Sequence, residues 1–167
     1  MAYQKLQAGK AWSVYPSDNT VIPNIGKGGP TGSTTTGSTT QLIDANRTGD
    51  NPDNMATLKF TLAGIKPGMV IVNTTDGTQT TVLSVVDDTT LNVANNIFSA
   101  SGKAYAIYGG TQEGAVLYIG GAGNLKVTTV AGDDVTFNGL QAGTFFPVNV
   151  IKVFSTGTSA TNIIALW

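Results

Sequence analysis

Short runs rich in Val, Ile, Thr, Phe and Tyr recur along the chain, broken by Gly, Asn and Asp. Runs of that kind read as strands between turns. No stretch of ten or more residues repeats its apolar positions at helical spacing, so little helix is expected. Two strands are predicted near the start, over residues 11–15 and 20–22, with Pro16-Ser17-Asp18-Asn19 as the turn between them. A denser series follows over 57–62, 69–72, 78–86, 91–93 and 104–108. Asp76-Gly77 and Asp87-Asp88 supply turns. Five strands in about 50 residues with tight turns read as a small SH3-like barrel. A third series covers 115–119, 124–130, 135–137, 144–154 and 162–167. Phe146, Val148 and Val150 share one face of the long strand, and Asn149 takes the other. The fold class expected is all-β: a β-sandwich or barrel domain, an inserted small barrel and an extended arm.

That arm comes from residues 26–40, GKGGPTGSTTTGSTT, which contain no large apolar side chain. Composition of this kind belongs to linkers, about 20 Å end to end as a coil. The polar, turn-rich residues 41–55 extend it, so a linker or arm is expected over 26–56.

Composition narrows the chemistry. The 167 residues hold nine Lys and Arg against ten Asp and Glu, with no Cys and no His. Disulfides, thiolate nucleophiles and Cys or His metal sites are therefore excluded, as are Ser–His–Asp and Cys–His catalysis within the chain. Arg47 and Glu113 are single examples of their kind. A net charge of −1 argues against binding nucleic acid or an anionic membrane. Only 11% of residues are charged, well under the usual quarter, while 41% are apolar. A surface so poor in charge suits a subunit packed among other proteins. No charged leader with an apolar core opens the sequence, and no apolar run approaches the length of a membrane span. Synthesis in the cytoplasm is expected.

Several motifs invite a chemical reading and fail it on spacing. Asp44, Asn46, Thr48, Gly49 and Asp50 follow the start of a calcium-loop count, but Met55 stands where the bidentate Glu belongs. A turn-rich loop is the expectation, with a weak calcium site at Asp44, Asp50 or Asp53 as its alternative. Asp87-Asp88 and Asp133-Asp134 sit where turns are predicted, not across a cleft. Gly120-Gly121-Ala122-Gly123 lacks the glycine spacing and the helix of a phosphate cradle, and Lys103 lacks the rest of a P-loop. No catalytic residue, metal ligand or cofactor is expected. Most aromatic residues are expected in cores. Tyr3, Trp12, Tyr15, Pro16 and Pro30 are candidate anchors at a protein interface, and Tyr105 with Tyr108 a candidate binding face on the small barrel.

The last third carries a pattern of its own: Leu117-Tyr118-Ile119-Gly120, a run from Gly123 to Thr128, Val135 to Phe137, Ala142 to Val148 and Thr156 to Leu166. Near the start, Val14-Tyr15-Pro16-Ser17-Asp18 leads to Ile22-Pro23. Together these resemble small virion structural proteins of tailed bacteriophages, in particular head-spike base proteins of gene transfer agents and phage head decoration proteins. In those relatives the two halves are joined by a short connection, whereas about 90 residues separate them here. The resemblance implies a parent β domain of residues 1–25 plus 112–167 with a small barrel of 57–110 inserted. It implies a viral structural protein: a capsid decoration (cement) or head-spike base protein, homo-oligomeric, bound to the major capsid protein. A receptor- or carbohydrate-binding module on a tail, baseplate or fibre is the alternative, and an enzyme is the least expected class.

Overall fold

A computed structural model describes residues 8–23, 28–109 and 114–167. Among them the chain is all-β, with no helix and two six-stranded antiparallel sheets. It divides into two compact units, Met1–Ile22 with Gln112–Trp167, and Pro23–Thr111.

In the first unit the sheet order is β1-β12-β8-β11-β9-β10. Its strands are β1 (Ala11–Ser13), β8 (Ala115–Gly121), β9 (Gly123–Thr129), β10 (Asp134–Leu140), β11 (Thr144–Val153) and β12 (Thr161–Leu166). Period-two alternation places Ala115, Leu117 and Ile119 of β8 in the core, beside Leu125 and Val127 of β9 and Ile163 and Ala165 of β12. The ten-residue β11 bends at an irregularity after Phe146, so its first half pairs β8 and its second half pairs β9. That bend curls the sheet. Phe137 of β10 meets Phe146 of β11 edge to face, with centroids 4.6 Å apart, although β9 lies between their strands. Residues 20–22 are predicted as a strand but form none, although Thr20 and Ile22 are buried.

The second unit orders its strands β2-β7-β4-β5-β6-β3. These are β2 (Gly28–Ser33), β3 (Gln41–Ile43), β4 (Val70–Asn73), β5 (Thr78–Val85), β6 (Thr90–Val93) and β7 (Ala104–Tyr108). Gly77, with φ of 67°, closes the β4–β5 hairpin by donating to Asn73 O at 3.0 Å. Leu42, Phe60, Ile71, Leu91, Phe98 and Ile107 fill the core.

Two expectations are corrected in this unit. The Gly/Ser/Thr tract does not reach away as an arm: residues 28–33 form β2 and pair with β7. Beyond them, Thr34 N–H donates to Lys103 O at 3.0 Å and Thr35 N–H to Ile43 O at 2.9 Å. Opposite sides of one segment thus bond to opposite ends of the sheet and curl it toward closure, with Thr36 bridging Ile43. Side-chain composition misled because the hold is made by the main chain. Residues 57–62, expected as a strand, form turns instead, with Leu58 bridged to Gly49 and Phe60 buried.

Candidate functional site

The most elaborate polar arrangement lies inside the second unit, around Arg47. Its side chain is wholly buried. Nε donates to Asp44 Oδ2 at 3.2 Å and to the Tyr105 hydroxyl at 2.8 Å. One terminal nitrogen donates to Met55 O at 2.6 Å and to Leu58 O at 3.3 Å. The other donates to the Tyr105 hydroxyl at 2.6 Å and to Thr31 O. The Tyr105 hydroxyl in turn donates to Asp44 Oδ2 at 2.7 Å. Phe60 lies beneath the guanidinium, its centroid 4.9 Å from Cζ.

This cluster ties four stretches of chain together: β2 at Thr31, the turn at Asp44, the turns from Met55 to Leu58, and β7 at Tyr105. Burial raises the Tyr105 hydroxyl well above the ordinary tyrosine range; the bond to Asp44 raises it further and Arg47 opposes both. Every group in the cluster is satisfied from within, so its chemistry is structural. Two sequence readings fall on it. Tyr105 is 2% exposed and belongs to the core, so it presents no binding face. Asp44 spends Oδ1 on Asn46 N–H and Oδ2 on the cluster, and Asp50 pairs with Lys59 at 2.8 Å. The calcium-like spacing is therefore built as an Asp-initiated turn and an ion pair. Among the described residues no group of three or more acidic side chains could hold a metal.

The paired aspartates form turns. Asp87 Oδ1 accepts from Thr89 N–H at 2.8 Å, which holds its carboxyl below the usual range. Asp133 O closes the β9–β10 hairpin by accepting from Thr129 N–H at 2.9 Å.

The interface candidates are dispersed. Trp12 and Tyr15 are half-buried and meet edge to face at 5.3 Å, with Trp12 against the core of the first unit and Pro16 exposed beside them. Pro30 is buried and lines a recess of about 420 Å³ with Met55, Ile65, Met69 and Ile107. Tyr108 is half-buried on β7. Tyr3 lies outside the described residues.

One surface was not singled out from the sequence: the outer face of the first sheet. Phe145 on β11 stands opposite Tyr118 on β8, which stands opposite Ile164 on β12. In the next row Val116 faces Leu166, and Leu166 faces Ala11 of β1. Phe145 is 66% exposed, with its ring edge to face against Tyr118 at 5.2 Å. These positions carry no charge and, in the strand pattern, should have been polar. The missed signal was the apolar character of successive outward positions, Val116 and Tyr118 in Ala115–Gly121 and Ile164 and Leu166 in Thr161–Leu166, with Asn162 as the polar exception.

Fold and surface together define an all-β chain of two units, the first with a charge-free apolar row on a sheet face. Comparison with known proteins adds no narrower assignment: no family model, curated protein or solved structure matches the chain.

Proposed function

We propose that this chain is a non-catalytic structural subunit that works by association, and specifically a virion structural protein of a tailed phage. In that reading it is a capsid decoration, or cement, protein or a head-spike base protein, binding the outer capsid and stabilising it. The observation that carries the associative part is the charge-free apolar row Phe145–Tyr118–Ile164 on an open sheet face. Apolar surface left contiguous on a sheet face marks a contact site. The phage part rests on the resemblance of the terminal segments to small virion proteins. The partner is a capsid protein, with self-association as a homo-oligomer, and the working location is the phage head.

Quantitative mass spectrometry of purified particles tests this. Hundreds of copies per particle mean capsid-wide decoration; a few dozen mean vertices. Absence of the chain from particles, or failure of the purified chain to co-sediment with phage heads, removes the proposal. Specific signals on a glycan array would favour the carbohydrate-binding alternative on a tail or fibre.

A further inference from the structure

Among the described residues the edge strand β10 is open. It pairs with β9 on one side and ends the sheet on the other. It is seven residues long, mostly exposed, and regular against β9 from Asp134 to Phe137, with a register shift before Leu140; it carries no lysine and no proline, two of the usual devices that stop one edge from pairing with another. Asp134 at its start is its one charge.

Register shows which groups face outward. The hairpin closes on Thr129 and Asp133, which share a backbone hydrogen bond. In an antiparallel ladder bonded and non-bonded pairs alternate. Val135 and Phe137, opposite Val127 and Leu125, therefore direct their backbone groups to β9. Asp134 and Thr136 turn theirs to the open side. Val135 and Phe137 also point their side chains to the core side of the sheet, like Leu125 and Val127. Val135 remains 37% exposed there, because among the described residues no further strand covers it.

We infer that this edge pairs with the same edge of a second copy, antiparallel and centred on Thr136. This deepens the associative reading above, which supplies the expectation of a homo-oligomer. The segment is complementary to itself in that register. Thr136 meets Thr136 of the second copy through two main-chain bonds, and Asp134 falls opposite Asn138, carboxylate to amide. Val135 falls opposite Phe137 twice, closing apolar surface that the single sheet leaves open. The two Asp134 carboxylates are four residues apart along the ladder, about 14 Å. Lys126, beside Thr136 on β9, is three strand spacings from its copy, also about 14 Å. Both separations exceed the screening length of about 8 Å at physiological salt, so like charges do not oppose the pairing. A single added strand pair is a small interface, and the affinity expected is about micromolar.

Sedimentation equilibrium of the full chain, from about 5 to 500 µM, tests the pairing. The wild type is expected to shift from the monomer mass of 17.2 kDa to twice that value across the range. T136P removes an outward donor and leaves the β9 ladder intact, so it is expected to stay monomeric with an unchanged circular dichroism spectrum. The chain has no cysteine, so T136C offers a single thiol at a site where paired Cα atoms lie about 5.5 Å apart, within disulfide reach. It is expected to oxidise to a covalent dimer at least tenfold faster than S101C, an exposed control. A wild type that stays monomeric throughout, or a dimer that survives T136P with no rapid cross-linking of T136C, overturns the inference. Particle binding retained by a chain that never dimerises would sink the edge pairing and leave the virion reading standing.

Discussion

Arg47 and Tyr105 are bound to each other twice inside the second unit: the tyrosine hydroxyl accepts from Nε at 2.8 Å and from a terminal nitrogen at 2.6 Å. The same hydroxyl donates to Asp44, so one oxygen closes a ring of ion pair and hydrogen bonds. Removing one partner of a buried pair leaves the other charged and unsolvated, at a cost of about 3–5 kcal/mol. R47A should therefore lower the melting temperature of the second unit sharply, or unfold it. R47K should fare little better, because one ammonium cannot reach five acceptors in a planar fork. Y105F should cost less, about 1–3 kcal/mol. The expected order, measured by urea unfolding, is wild type, Y105F, R47K, R47A; equal stability of R47A and wild type would contradict the structural role.

Gly32 sits over that cluster. A Cβ added there would lie 2.5 Å from Asp44 Oδ2 and 2.8 Å from both the Tyr105 hydroxyl and a terminal nitrogen of Arg47. G32A should destabilise by about 1–3 kcal/mol through overpacking, while G64A, at a position with open space and positive φ, loses only on backbone strain. Thermal scans of the two variants, with wild type as reference, separate the effects, and G32A is expected to melt lower than G64A.

Asp18 clamps the first unit at its surface. Its carboxylate accepts the Thr156 hydroxyl at 2.6 Å and the Thr156 N–H at 2.9 Å, and Lys152 Nζ donates to its backbone carbonyl. The bonds from Thr156, hydroxyl first, bring its pKa down from 3.8 to about 2. A depressed folded pKa means that the clamp's contribution is complete above the unfolded value of 3.8 and is lost as pH falls towards 2. D18N should show a flatter stability profile than wild type across that window. Parallel profiles from denaturant titrations between about pH 5 and pH 2 would remove Asp18 as the cause.

Phe145 offers the sharpest separation of stability from association. It is 66% exposed and its ring lies edge to face against the Tyr118 ring. F145S should cost about 1 kcal/mol or less in unfolding. Binding to phage heads should fall at least tenfold, as read by co-sedimentation. Undiminished binding would move the contact off this sheet face.

Strand positions were legible because the two-residue period is local. The strand expected over 104–108 is β7, and 78–86 differs from β5 by one residue, since Val, Ile, Thr and Tyr alternate between clear turn signals. The start of the chain was less legible. Residues 20–22 look like a strand, yet Ile22 N–H reaches Ile151 O at 2.8 Å without extending into a ladder. Residues 57–62 share the apolar content of a strand, but Leu58 and Phe60 are buried from within successive turns.

The sequence by itself determined the all-β class, most strand positions and the absence of Cys and His chemistry, because those follow from residue identity and near-neighbour spacing. Tertiary structure alone decided three things. It drew the Gly/Ser/Thr tract into a sheet, because β7 supplies hydrogen-bond partners more than 70 residues away. It turned the lone arginine and a predicted surface tyrosine into a buried cluster, because Asp44, Arg47 and Tyr105 converge only when β2, β3 and β7 share one curled sheet. And it exposed Phe145 beside Tyr118 and Ile164, because cross-strand register, which no local pattern encodes, chooses which apolar residues meet on the open face.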